Sequence, residues 1–173
     1  MTLIKATEND FERLTRFYRH AVAETKNMEL YARWIYGLHP SDEMILSYIS
    51  HGNMFFSELD GKIASAVAVV PRQEKEYHDV PWKMNLDDDE VCVVHILCVA
   101  PEFQKNGLAA RTMRAVIEMS RKSGKKAVRL DALKCNMPAC HLYESLGFSP
   151  AAERKWHTEN AGQTDFVLYE LEV

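Results

Sequence analysis

The chain has 173 residues, 47% hydrophobic and 27% charged, with only seven glycines and six prolines. That length and balance fit one domain, residues 1–173, with a sizeable core, and exclude collagen-like, low-complexity and disordered classes. Twenty-one Lys and Arg against 25 Asp and Glu leave a formal charge of −4, which argues against a nucleic-acid or anionic-membrane partner and leaves room only for a local basic patch.

A short strand over Leu3–Ala6 opens the chain, and Thr7 with Asp10 three residues later marks a helix start. Phe11, Leu14, Phe17, Tyr18, Ala21 and Val22 recur at helical spacing, which predicts a first helix to about Thr25. An aromatic connector with Tyr31, Trp34 and Tyr36 leads to Pro40. Ser41 or Asp42 then caps a short second helix carrying Ile45, Leu46, Tyr48 and Ile49 and stopped by Gly52. Two β-rich runs, Met54–Leu59 and Lys62–Val70, flank Asp60-Gly61, a dipeptide suited to a tight hairpin turn. The polar stretch Arg72–Glu90 contains Pro81 and ends in Asp87-Asp88-Asp89-Glu90. It reads as a long surface loop, either a plain solvated connection or a functional segment.

Val91–Val99, VCVVHILCV, is nearly all apolar and β-branched, the pattern of a strand buried on both faces at the centre of a sheet. Leu108–Ser123 places Ala109, Met113, Val116, Ile117 and Ser120 on one helical stripe, opposite Arg111, Arg114, Glu118 and Arg121, and Gly124 ends it. A strand over Ala127–Leu133 follows. Asn136 caps the next helix, which tolerates Pro138 in its first turn, puts Ala139, Leu142, Tyr143 and Leu146 on one face, and closes at Gly147. Runs at Ala151–His157 and Asp165–Val173 predict a terminal antiparallel hairpin around Asn160 and Gly162. The order β-α-α-β-β-β-α-β-α-β-β is that of an α/β fold.

Cys92, Cys98, Cys135 and Cys140 form no CxxC pair and sit in apolar stretches, so they read as reduced core thiols and no metal is expected. No apolar run approaches the ~20 residues of a membrane span, and MTLIKATEND lacks the basic and apolar blocks of a signal peptide. The expectation is a cytoplasmic protein with no membrane partner.

The segment richest in chemistry is HILCVAPEFQKNGLA, residues 95–109, where a buried strand empties through a Pro-containing loop into an amphipathic helix. Free N–H groups at that helix's first turn and the positive end of its dipole favour an anion such as phosphate. Gly107 lets the backbone turn or approach a ligand closely, and Ala109 keeps its side chain small. One glycine without a following Gly-Lys-Ser/Thr fits neither the dinucleotide fingerprint nor the phosphate loop of nucleotide hydrolases.

Gln104-Lys105-Asn106-Gly107-Leu108-Ala109 fits the pattern [Q/R]-x-x-G-x-[G/A] and resembles the GNAT superfamily of acyl-CoA N-acyltransferases. The element order matches that family along essentially the whole chain, and Asn136 followed by Leu142–Phe148, LYESLGF, is a second family feature. Lys105 stands where glycine is common, and Ala109 replaces the commoner final glycine. The fold the resemblance implies is a mixed, twisted central sheet of about seven strands flanked by about four helices.

The resemblance further implies that acetyl-CoA is the acyl donor, used without a metal. Backbone N–H groups of Gln104, Lys105, Asn106, Gly107, Leu108 and Ala109 would hold its pyrophosphate, with Lys105 as a charge partner or simply solvent-exposed. Leu97, Cys98 and Val99 would pair through their backbone with the pantetheine arm, and Asn136 would hydrogen-bond it or serve only as a helix cap. Tyr143 would protonate the departing CoA thiolate, against the alternative of a core aromatic.

For the base, His95 on the central strand titrates near pH 6.5 when unperturbed, with a satisfied core histidine as the bland alternative and Glu90, acting through water, as its rival. Tyr31, Trp34 and Tyr36 are candidate walls for an amine acceptor, a small molecule or peptide, or else core. The acidic run Asp87–Glu90 would draw a cationic acceptor, or else merely face water. A CoA-binding sensor without turnover is the rival function, and a homodimer is left open.

Overall fold

In the computed structural model, which describes residues 1–173, the chain forms seven strands and four α-helices. After β1 (Ile4–Lys5), Asp10 Oδ2 accepts from both the amide and the hydroxyl of Thr7 at 2.9 Å, and α1 (Phe11–Glu24) grows from that turn. Its stripe of Leu14, Phe17, Tyr18 and Ala21 is buried. Ser41 Oγ accepts the Met44 amide at 3.2 Å and starts α2 (Asp42–Ser50), which buries Ile45 and Ile49 beside α1.

The hairpin of β2 (Met54–Leu59) and β3 (Lys62–Val70) turns at Asp60 and Gly61, both at positive φ, as a two-residue turn matched to strand twist requires. β4 (Val91–Val99), α3 (Leu108–Lys122) and β5 (Ala127–Leu133) form the parallel crossover. α4 (Met137–Ser145), β6 (Ser149–Thr158) and β7 (Gly162–Glu172) complete the chain. The sheet order is β1-β2-β3-β4-β5-β7-β6, antiparallel everywhere except at β4–β5. The last strand therefore folds back between β5 and β6. No helix is long and apolar enough to cross a membrane.

Helices cover both faces of the sheet: α1 and α2 pack on Phe56, Ala66, Ala68, Ile96 and Cys98, while α3 and α4 pack on Val67, Val69, Cys92, Val94, Val128 and Leu130. Along β4, even-numbered residues face α3 up to Val94 and face α1 from Ile96 onward. A bulge causes the reversal: Ala68 pairs with His95 and Ala66 with Cys98, so Val67 alone stands opposite both Ile96 and Leu97. Ile96 takes φ +42°, an uncommon conformation for a β-branched residue, and its carbonyl accepts from the buried Tyr18 hydroxyl at 2.9 Å. Pairing with β5 ends at Val94 opposite Leu130, two residues before the bulged Ile96. Beyond that point β4 and β5 part.

The stretch expected as a surface loop is instead partly folded into the body. Tyr77 and Val80 are buried with Val91, Val93, Ala127 and Leu168, and short helical turns form at Lys75–Tyr77 and Asp88–Glu90. Its anchor is Arg129, only 1% exposed, which donates to Glu170 Oε2 at 2.7 and 2.9 Å, to the Met84 carbonyl at 2.7 Å and to Gln73 Oε1. The Arg129 guanidinium also lies over the Trp82 ring, 4.3 Å from its centroid. A buried charge pair needs such extra bonds, because removing either partner strands the other out of water. The loop is thereby pinned against β5.

Candidate active site

The parting of β4 from β5 opens a cavity of about 1140 Å³. Val94–Val99 and Asp131–Leu133 form its floor, α4 and the β4–α3 turn close one side, and the α1–α2 connector with residues 156–160 closes the other. Unlike the paired stretch of β4, His95–Val99 has no strand on its β5 side, so an extended ligand has backbone to pair with there.

At one end stands the first turn of α3. Lys105 and Gly107 both take left-handed φ, 63° and 69°, and Gly107 caps the helix. A Cβ on Gly107 would meet no atom within 4 Å, so glycine is favoured here by its φ rather than by crowding. The first intrahelical bond runs from Arg111 to Gly107 at 3.1 Å, which leaves the amides of Leu108, Ala109 and Ala110 without helical partners. Gln104 Nε2 donates to the Val99 carbonyl at 3.0 Å and to Thr25 Oγ1 at 3.1 Å, tying the turn to β4 and α1. Lys105 and Lys26 line this end of the cavity, whereas Asn106 and Gly107 lie outside its lining. The Leu108 side chain packs with Ala64 and Val99, and Cys98 faces the α1 core, so both offer a ligand only backbone.

α4 presents two groups. Asn136 Oδ1 accepts the Ala139 amide at 3.3 Å as a helix cap, and its side chain also borders the cavity. Tyr143 is 7% exposed, with its ring edge-on to Phe148 at 5.8 Å, and its hydroxyl has no hydrogen-bond partner in the protein. Burial, then the carboxyl of Asp131, raises the phenol above its ordinary value, so it is protonated at neutral pH.

At the other end His95 Nε2 lies 2.7 Å from Glu74 Oε2, with the Tyr48 ring stacked on the imidazole at 6.0 Å. Burial alone would lower the imidazole, but the bond to Glu74 and the charges of Glu74, Asp131 and Glu76 outweigh it and raise the ring above its ordinary value. Burial raises the Asp131 carboxyl, which accepts from the Tyr77 hydroxyl. His39, across the cavity, is pushed down to about 4 by burial and then by the charge of His95. Thr158 Oγ1 is buried without a partner on this side.

Residues 7–148 match the Acetyltransferase (GNAT) family. The chain belongs to that family. Among curated relatives it is 30% identical to an uncharacterized N-acetyltransferase of Methanocaldococcus jannaschii over 54% of this chain and 38% of that protein. It is also 30% identical to the Escherichia coli [ribosomal protein bS18]-alanine N-acetyltransferase over 49% of this chain and 57% of that one. The matched region thus spans roughly two-fifths to three-fifths of the relatives' length.

The fold is shared with a GNAT acetyltransferase from Streptococcus agalactiae, with TM-score 0.77 and 18% identity over 99% of this chain and 95% of that one. It is shared equally with Salmonella typhimurium yncA, solved with its cofactor acetyl-CoA, with TM-score 0.71 and 20% identity over 99% and 93%. The seven-stranded mixed sheet and four helices that the resemblance implied are the GNAT architecture.

Within this GNAT fold the structure gathers most of the residues singled out from the sequence around one cavity and disperses the others. Tyr31 and Trp34 line it, but Tyr36 does not: its hydroxyl bonds Asp42 and its ring lies under Arg19. Glu90 is a correction. It stands at the opposite end of β4, where it accepts from Lys126 and from the Asp87 amide at 3.0 Å, and those bonds hold its carboxyl below the usual range. Five residue steps, or about 17 Å of extended chain, separate it from His95.

The acidic run Asp87–Glu90 lies at that same far end, with Asp88 paired to His78 at 2.9 Å. The carboxylates that do face the cavity, Glu74, Glu76 and Asp131, passed unnoticed in the sequence. Asp131 carried a readable signal, the one acid in a strand that is apolar apart from it and Arg129. Glu74, one acid in a polar loop, carried none.

Proposed function

We propose that the chain transfers an acetyl group from acetyl-CoA to the primary amine of a small molecule or peptide, by direct attack with both held in the cavity. The observation that carries this reading is the single cleft joining a helix N-terminus, an unbonded phenol and a carboxylate-bound imidazole. When bound, acetyl-CoA supplies the activated acyl group as a thioester. The residues fit it: free α3 amides with Lys26 and Lys105 suit the phosphates, and the unpaired edge of Leu97–Val99 suits the amide-bearing arm.

His95 takes the proton that the acceptor must lose, and Tyr143 offers its hydroxyl proton to sulfur as negative charge builds there. Because the phenol is shifted upward, it acts chiefly as a hydrogen-bond donor to the developing thiolate. Glu74, Glu76 and Asp131 make the acceptor end electronegative, which favours an amine arriving as ammonium. The activity named for the Escherichia coli relative supports including peptide N-termini among the acceptors.

The test is thiol release from acetyl-CoA over a panel of amino acids, polyamines, aminoglycosides and peptide N-termini. Amine-dependent release is expected; tight acetyl-CoA binding with no release by any amine would overturn the reading.

A further inference from the structure

Three histidines pair with carboxylates: His20 with Glu102 at 3.1 Å, His78 with Asp88 at 2.9 Å and His95 with Glu74 at 2.7 Å. The first two are surface pairs, with histidine side chains 47% exposed, where solvent screens the interaction and many such contacts contribute nothing measurable. His95 is 20% exposed and lines the cavity. Its second ring nitrogen, Nδ1, makes no hydrogen bond to the protein and is not sealed from the cavity. An ionised carboxylate only accepts, so the nitrogen facing Glu74 must carry the hydrogen.

We propose that Glu74 is a positioning residue: its carboxylate holds the His95 imidazole with Nε2 protonated, leaving the Nδ1 lone pair to receive the acceptor's proton. This rests on the acetyltransferase reading above. The step balances. Nδ1 takes one proton from the acceptor ammonium, whose freed lone pair forms the bond to the acyl carbon as the carbon–sulfur bond breaks. CoA leaves as a thiolate held by the Tyr143 hydroxyl, and the new amide nitrogen sheds its second proton to solvent. The resulting imidazolium keeps its Nε2–H on Glu74 and later loses the Nδ1 proton to solvent.

Glu74 is held for this role rather than waving from a loop. Its carbonyl accepts the Tyr77 amide at 3.1 Å, starting the turn Lys75–Tyr77. The preceding Gln73 is 6% exposed, donates its amide to the Asp88 carbonyl at 2.8 Å, and accepts at its side chain from buried Arg129. The anchoring thus runs from Arg129 through Gln73 to Glu74 and on to His95. Carboxylates that orient a working imidazole typically change its performance 10- to 100-fold when removed, as seen around metal-bound histidines.

The groups facing His95 come from every side: Glu74 and Glu76 from the loop, Asp131 from β5, His39 from the α1–α2 connector and Tyr48 from α2. The carboxylates favour the protonated ring, while burial opposes it. Removing the charge of Glu74 alone therefore moves the His95 titration to lower pH, with Asp131 and Glu76 still contributing.

The test compares wild type, Glu74→Gln and Glu74→Ala by long-range ¹H–¹⁵N correlation NMR of the histidines and by the pH dependence of kcat/KM, using an amine accepted in the thiol-release screen. His95→Gln identifies the His95 signals. In wild type the Nε2–H tautomer is expected, with its inflection above the ordinary imidazole value. In Glu74→Gln the inflection should move to lower pH in both NMR and rate, and kcat should fall roughly ten-fold with acetyl-CoA affinity unchanged. Glu74→Ala should also lose the tautomer preference.

An unmoved His95 inflection, or an NMR shift that the rate profile does not follow, would overturn the proposal while leaving acetyl transfer intact. Absence of transfer by the wild type would instead overturn the functional reading, and this proposal with it.

Discussion

The two halves of β4 differ more than their shared apolar sequence suggests. Val91–Val94 has a neighbour on each side, β3 and β5, and its residues are buried against α3 and the folded 71–90 loop. His95–Val99 keeps β3, loses β5, carries the left-handed Ile96 and faces a cavity. One half spends its backbone hydrogen bonds on both neighbouring strands; the other leaves part of them without a strand partner on the β5 side. The bulge separates these roles within a single strand, and such strain persists only where surrounding contacts enforce it, here the buried Tyr18 hydroxyl.

The sharpest contrast comes from the cavity's own side chains. Tyr143→Phe keeps the ring packed against Phe148 and removes a hydroxyl that no protein group satisfies, so stability should change little. Turnover should fall by about 10²- to 10⁴-fold, with acetyl-CoA affinity unchanged, as read by single-turnover kinetics and calorimetry. Wild-type turnover in this variant would remove the phenol from the chemistry.

His95→Gln should lower the rate by about 10²-fold and erase the inflection in log kcat/KM against pH. Because the imidazole lies above its ordinary value, wild-type activity should rise with pH through that inflection as the ring loses its proton. An inflection that survives in the variant would assign it to another group of the cavity, such as Asp131.

A smaller effect separates the two halves directly. Tyr18, itself outside the cavity lining, bonds the carbonyl of lining residue Ile96, and Tyr18→Phe removes that bond at a cost of about 1 kcal/mol or ~2–4 °C in Tm. Val93→Ala, in the paired half, should cost a similar or larger amount through lost apolar burial. Only Tyr18→Phe should also raise the KM for acetyl-CoA. Equal KM values in the two folded variants would show that the bulge does not shape the binding edge.

The smallest effect concerns His39. Its folded value of about 4 lies below the 6.5 of an unperturbed imidazole, so between those values the unfolded chain binds a proton that the folded one refuses. Stability from this group is therefore present above pH 6.5 and lost as pH falls toward 4. Tm measured across that window should decline less steeply in His39→Gln than in wild type. Identical slopes would mean that the ring is not held neutral in the fold.

Local signals in the sequence determined the elements themselves. The run Val91–Val99, the start of α3 after Gly107 and the Asn136 cap of α4 each fall where periodicity and capping place them, because these depend on residues a few positions apart. The hexapeptide Gln104–Ala109 likewise marked the turn that starts α3 at one end of the cavity. What the chain does on either side of His95 was decided only in three dimensions. VCVVHILCV is apolar on both faces, so no pattern in it records a change of facing, and the bulge that turns Ile96 toward α1 depends on pairing with β3 and on Tyr18, 78 positions away. The same holds for Glu74, which reaches His95 across 21 positions because buried Arg129 grips Gln73. Glu90, five residues from His95 along the strand, is carried out of reach because an extended chain separates its residues by about 3.4 Å each.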